Sequence, residues 1–237
     1  MAGSCGSRPQ RHDVVSLLYP GELLTSDAAR SLLQQAGGDA ATATEIRWRN
    51  GHRRSFWQGN CVALGTAAGM LEPLVFSPLH LLASGVGRLL RMFPDAAGAS
   101  QVADEYNRAT QLEFENARDY VLVNYAANRR DGSLWERGRK ARMPDSFRRR
   151  RELFGSTGRV PAYDEETFDR SDWAVAWLAA GLRPEAHDPL LDRMPAAELD
   201  SHFARLQSAI AQAVGALPLH DEFIERLRLP QRAPGAG

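Results

Sequence analysis

The residue types most able to support chemistry lie in the segment that starts at Asn60. The run NCVALG reads as a buried strand ending at Gly65. Thr66, Ala67, Ala68 and Gly69 follow, with side chains small enough to let a flat cofactor approach the backbone. Such a turn reads as a cofactor wall, although taken without its neighbours close helix packing is the better reading. Self-sufficient catalytic motifs are not found: there is no G-x-S-x-G elbow, H-E-x-x-H, Walker A sequence or His/Cys cluster. Gly85-Val86-Gly87 resembles the start of a dinucleotide fingerprint, but Leu90 stands where the third glycine belongs and the surrounding period is helical, so helix packing is the better reading. His80, beside Leu79 and Leu81, reads as packed and hydrogen-bonded rather than as a metal ligand. Lys140 is the sole lysine, so any mechanism that needs one from this chain must use it. Trp173 and Trp177, at i and i+4, share a helix face that suits a core stripe or an aromatic slot, with the core preferred.

The elements that must position these residues follow from periodicity. DVVSLLY reads as a strand, Pro20-Gly21 as a turn, and Thr25 or Ser26 as the cap of a helix through Gln35. Strand candidates come next around Ile46 and Trp48, around Phe56, and from Asn60 to Gly65. Beyond Leu79 apolar residues recur at three and four, and the long run from Gln101 to Tyr125 continues that period. Shorter helices are expected near Trp135, from Asp145 to Phe154, around Trp173 to Ala180, from Ala196 to Val214 and from His220 to Leu227. The first residues, rich in Gly, Ser, Arg and Pro, read as a disordered leader and QRAPGAG as a loop tail.

Composition bounds the possibilities. With 237 residues, 43% of them hydrophobic, the chain can bury a real core. Its 29 basic and 29 acidic residues cancel, which argues against a nucleic-acid or anionic-membrane partner. The arginine-rich stretch from Trp135 to Glu152 reads as a solvated face, balanced by Glu152, Asp164, Glu165 and Glu166. Two cysteines give no disulfide framework or metal spacing, so a reducing, cytoplasmic setting is expected. No stretch reaches the about 18 apolar residues of a membrane span.

Arg53 to Asp95, RRSFWQGNCVALGTAAGMLEPLVFSPLHLLASGVGRLLRMFPD, resembles the segment of flavin-dependent tryptophan halogenases in which a strand, a small-residue turn and an E-P-L-E-S-T type element lead into a helix. Upstream, DVVSLLYPGELLTSDAARSLL, and downstream, ADEYNRATQLEFENARDYVLVNY through YDEETFDRSDW and LPLHDEFIE, resemble the same family in order, so the similarity runs from about His12 to Glu225. The resemblance implies an α+β, mostly helical fold: residues 12–95 as the C-terminal part of a flavin monooxygenase-like FAD and halide-binding domain with a small sheet remnant, 96–229 as a helical substrate-side domain, flanked by leader 1–11 and tail 230–237. It implies FAD, used as FADH2 delivered by a flavin reductase, oxidation of a halide, and transfer to an indole-like aromatic. Flavin contacts fall at Thr66 and Leu79, and the halide site at Ser77 and Pro78, where the family uses the backbone N–H groups of these two positions. An anion there has a physical basis, because N–H groups at a helix start are unpaired and carry the positive end of its dipole.

The chain departs from the family pattern in three respects. The glycine-rich flavin fingerprint and the essential lysine lie N-terminal to the matched region, so the chain is expected to be an incomplete halogenase, inactive and weak in FAD binding alone, or a non-catalytic remnant acting as an interaction module. The catalytic glutamate position is Val75, and Pro78 has no N–H to offer a halide. SDWAVAWLAAGLRP lacks the Phe, Asn and Tyr with which the family clamps tryptophan. No catalytic residue is therefore assigned. An exposed sheet edge is expected to invite self-association.

Overall fold

The computed structural model describes residues 4–7, 14–74, 78–93, 99–161 and 167–228. Helices dominate, and the strands are short and confined to the first third of the chain. β1 (Ser4–Ser7) pairs antiparallel with β2 (Val14–Leu17). Backbone order thus occurs inside the stretch read as a disordered leader. α1 (Ser26–Gln35) begins where expected, with the Thr25 side chain accepting from the Ala28 N–H at 3.3 Å, which satisfies one of the donors a helix start leaves unpaired. It packs against β2.

The expected strand around Ile46 and Trp48 does not form. Glu45 instead accepts hydrogen bonds from Tyr19, Ser26 and Arg47, and Arg30 donates to the carbonyls of Ala40 and Ala43. Side-chain bonds therefore fasten this segment to α1, no strand partners its backbone, and Ile46 stays 73% exposed. β3 (Gly51–His52) pairs with β6 (Gly69–Met70), and β4 (Trp57–Gln58) with β5 (Cys61–Val62), both antiparallel. The buried strand expected from Asn60 to Gly65 is in fact this two-residue hairpin arm: Asn60 and Cys61 are exposed and only partial burial follows. The apolar run turns into a 3-10 turn (Gly65–Ala67) before it can extend.

α2 (Pro78–Arg91) and the 28-residue α3 (Ala99–Ala126) form the spine, joined by α4 (Ser133–Lys140), α5 (Asp145–Thr157) and α6 (Arg170–Ala179). A second 3-10 turn (Pro189–Arg193) leads to α7 (Ala196–Ala216) and α8 (His220–Arg228). Two apolar clusters lie along α3. One gathers Phe56, Trp57, Leu71, Leu81, Tyr106 and Phe114, and the other Val123, Phe147, Phe154, Trp173 and Trp177. Trp173 and Trp177 are the centre of the second, 0% and 1% exposed, which makes their shared face a core stripe rather than an open slot.

Among the described residues no helix is long and apolar enough to cross a membrane. The boundary at residue 95, the acidic residues 164–166 and the tail 230–237 lie outside the described residues.

Candidate functional site

A single asparagine holds the hairpin that leads to the small-residue turn. Asn107 of α3 accepts from the N–H groups of Phe56 and Trp57, both at 2.7 Å, and donates to the Trp57 carbonyl at 2.9 Å. Two amide groups that this hairpin exposes to an apolar cluster are thereby satisfied. The Phe56 carbonyl accepts from the Ala63 N–H at 2.7 Å, and Gly65 then turns the chain with φ at +56°, a conformation a side chain resists. The turn is fixed from outside by Arg53, whose Nε donates to the Ala67 carbonyl at 2.6 Å while its N–H donates to the Ala68 carbonyl at 2.9 Å.

Thr66 and Ala67 are exposed at the tip of this turn, and Ala68 is buried beneath it. α2 packs against the turn. A Cβ placed on Gly85 would lie 3.2 Å from Leu64, and the Gly85 carbonyl accepts from the Tyr106 hydroxyl at 3.2 Å, so Gly85 is a helix-packing glycine. Leu82 lies 3.5 Å from where a Gly65 Cβ would stand. Leu79 is one turn before Leu82 on the same face of α2 and is 70% exposed. The 3-10 turn that carries Thr66 thus packs on α2, whose first turn carries Leu79, and both side chains are exposed. Pro78 is the first residue of α2 and contributes no N–H there. Ser77, with Val75, lies outside the described residues.

Beneath α2 is a buried polar cluster that the sequence pattern did not disclose. Arg88 donates to Glu113 at 2.9 Å and to the Thr110 hydroxyl at 3.0 Å, and Thr167 reaches the other Glu113 oxygen at 3.4 Å. His80 is not packed into the core as expected. Its side chain is 49% exposed, with Nε2 4.0 Å from Glu113, about two turns before Arg88 on α2. Glu72 accepts from the Tyr125 hydroxyl, tying the loop before residue 75 to the C-terminal end of α3. That bond and burial push the Tyr125 hydroxyl well above its ordinary pKa, with desolvation the larger cause.

The arginine-rich stretch is mostly solvated, with Arg137 paired to Glu22 and Arg148 to Asp145, but Arg150 departs from that reading. It is 4% exposed, its guanidinium sits 4.2 Å above the Trp173 ring, and it donates to Asn116 at 3.3 Å. Lys140 ends α4 on the exposed surface. A groove of about 980 Å³ opens between the end of α3 and α6, with Tyr120 and Phe168 stacked in it at 3.7 Å and Arg129 and Arg183 along its lining. No cluster of three metal-ligating side chains occurs among the described residues.

Comparison with known proteins fits this architecture. A family model described as tryptophan halogenase matches residues 11–196. The chain is 26% identical over 230 residues to tryptophan 7-halogenase RebH of Lentzea aerocolonigenes, covering 88% of this chain and 43% of that protein. Among solved structures it is similar to BrvH, a flavin-dependent halogenase from Brevundimonas sp. BAL3, at 34% identity and a TM-score of 0.82, covering 95% of this chain and 47% of that one. It is likewise similar to Xcc4156, a flavin-dependent halogenase from Xanthomonas campestris, at 34% identity and a TM-score of 0.81, covering 92% and 45%. The chain spans less than half the length of these relatives.

Proposed function

Because this chain belongs to the tryptophan halogenase family, we propose that it supplies the halide-side corner and helical substrate-side part of a FADH2-dependent halogenase acting on an electron-rich aromatic. In the overall reaction FADH2, dioxygen, a halide ion, a proton and Ar–H give FAD, Ar–X and two waters; the flavin and halide are oxidised and oxygen is reduced. The packing of the exposed turn at Thr66 against α2, whose first turn bears the exposed Leu79, supports the reading. Thr66 and Ala67 present short side chains on an exposed turn, backed by the glycine at 65, and the start of α2 stands beside them. A flat ring system fits against such a wall. When bound, the flavin supplies the activation of oxygen; the residues here shape one side of its pocket.

The residues at 75 and 78 bear on substrate. By resemblance the first of these is where the family carries a glutamate that stabilises charge developing on the indole, and a preorganised charge of that kind contributes about 3 kcal/mol. Val75 cannot do so, and Pro78 removes a donor whose loss leaves a buried halide short of a bond at a cost of roughly 1–3 kcal/mol. These two residues favour, as a second reading, a chain that binds without catalysing halogenation.

The test joins these 237 residues to the part of an active relative that they do not match, and assays indoles with chloride and bromide. The parent, Val75→Glu, and Val75→Glu/Pro78→Gly proteins are compared. Halogenation of free tryptophan is expected to be weak in the parent and at least tenfold faster in the double variant. Equal rates in parent and double variant would show that charge stabilisation and halide capture reside elsewhere, and no halogenated aromatic from any of the three would favour the binding reading.

A further inference from the structure

The groove between α3 and α6 has two chemically different ends. At one, Tyr120 of α3 donates its hydroxyl to the Asp172 carbonyl of α6 at 3.4 Å and stacks on Phe168 with ring centres 3.7 Å apart. At the other, the Arg129 guanidinium reaches Gly181, where an added Cβ would stand 2.8 Å from its Nη2. Tyr120 to Arg129 and Asp172 to Gly181 are the same step along the chain, so by either helix the two ends are about 13 Å apart. Val123, Ala127, Ala176 and Ala180 line the stretch between them with small apolar side chains.

The arginine end is short of negative charge. Arg183 donates to the Leu178 carbonyl at 2.7 Å, the carbonyl that also accepts from the Gly181 N–H, so both guanidinium groups stand beside Gly181. Among the described residues neither has a carboxylate partner. Asp172, the acid of this lining, lies at the aromatic end and accepts from the Asp169 N–H in the cap of α6. Two cations held together without a counter-charge are complementary to an anion, and the arginine fork suits a carboxylate or phosphate. The aromatic end lies towards α2: Thr167, which precedes Phe168, and His80, which follows Leu79, reach the same Glu113 oxygen at 3.4 and 4.0 Å.

We propose that this groove holds an elongated anionic aromatic, its ring against Tyr120 and Phe168 and its carboxylate or phosphate about 13 Å away on Arg129 and Arg183. Naming this as the substrate class rests on the halogenase function proposed for the chain. An extended peptide covers that span in about four residues, so an aromatic side chain followed at that distance by a carboxylate has the reach, as does a ring on a comparable chain ending in phosphate.

Calorimetric titration of the 237-residue chain tests the site apart from catalysis. The probes are N-acetyl-Trp-Gly-Gly-Gly with a free C-terminal carboxylate, the same peptide as its C-terminal amide, and an indole on a long alkyl chain ending in phosphate. The carboxylate peptide is expected to bind roughly tenfold more tightly than its amide, the worth of one charge-assisted contact. Arg129→Gln, at an exposed side chain, should erase that difference without moving the melting temperature, and Arg129→Lys should keep part of it. Tighter binding of the phosphate probe with the same dependence on Arg129 would identify phosphate as the anion. Equal affinity for acid and amide, a preference that survives Arg129→Gln/Arg183→Gln, or no binding of any probe would overturn the anionic site. Each of these results leaves the halogenase function standing, since the fusion assay tests it separately.

Discussion

Arg88 of α2 and Glu113 of α3 hold each other at 2.9 Å with side chains only 8% and 5% exposed, so a desolvated ion pair joins the two helices. Breaking such a pair leaves a buried charge without its partner, which costs about 3–5 kcal/mol. Glu113→Ala is expected to lose stability in that range by urea unfolding. Replacing both partners together, Arg88→Met/Glu113→Leu, should cost far less, because no charge remains buried. If the double variant is as unstable as the single one, the pair is not the source of the effect.

Glycine substitutions should separate the turn from the helix behind it. A Cβ on Gly69 would stand 2.7 Å from the Phe114 ring and 2.8 Å from the Gly51 carbonyl, so Gly69→Ala must shift the β3–β6 pairing and is expected to cost about 1–3 kcal/mol. On Gly87 a Cβ would meet only the end of the Arg91 side chain, at 3.5 Å. Gly87→Ala should therefore be neutral or stabilising by up to about 1 kcal/mol, as for any glycine removed from a helix interior. Thermal melts of the two variants should move in opposite directions or differ by several degrees.

The Tyr125 to Glu72 bond predicts an alkaline limit to stability. Burial raises the pKa of Tyr125 above the ordinary 10.0, and those of Tyr106 and Tyr120 move in the same direction, again chiefly through desolvation. A folded-state pKa above the unfolded one gives stability that is fully present below about pH 10. It declines as pH rises beyond that, because the unfolded chain ionises while the folded one keeps its protons. Urea midpoints should be insensitive to these groups from pH 7 to 9 and fall above pH 10, less steeply in Tyr125→Phe.

Flavin affinity of the 237 residues alone is expected to be weaker than low micromolar. Affinity in such sites rests largely on a pyrophosphate held at a glycine-rich helix start, whereas the corner at Thr66 and Leu79 offers one wall. Titration of FAD and of reduced FAD, followed by heat or fluorescence, checks this. Low-micromolar binding would show that the wall and α2 suffice.

The helices could be read from the sequence because their signals are local. Apolar residues at three and four, Thr25 before Ser26, and glycines or prolines at the ends placed α1, α2, α3 and α6 close to their observed limits. The small-residue turn and its neighbouring helix start were legible for the same reason, and resemblance attached a flavin and a halide to them. Only the tertiary structure decided the rest, because it depends on partners far apart in the chain. Asn107 lies about fifty residues from the hairpin it clamps, and nothing in a helix-period run distinguishes it from a solvated asparagine. Arg150 sits in a run of arginines and differs from them only because Trp173 arrives beneath it from α6. The segment at Ile46 and Trp48 has strand composition and no strand to pair with, and composition cannot supply a partner.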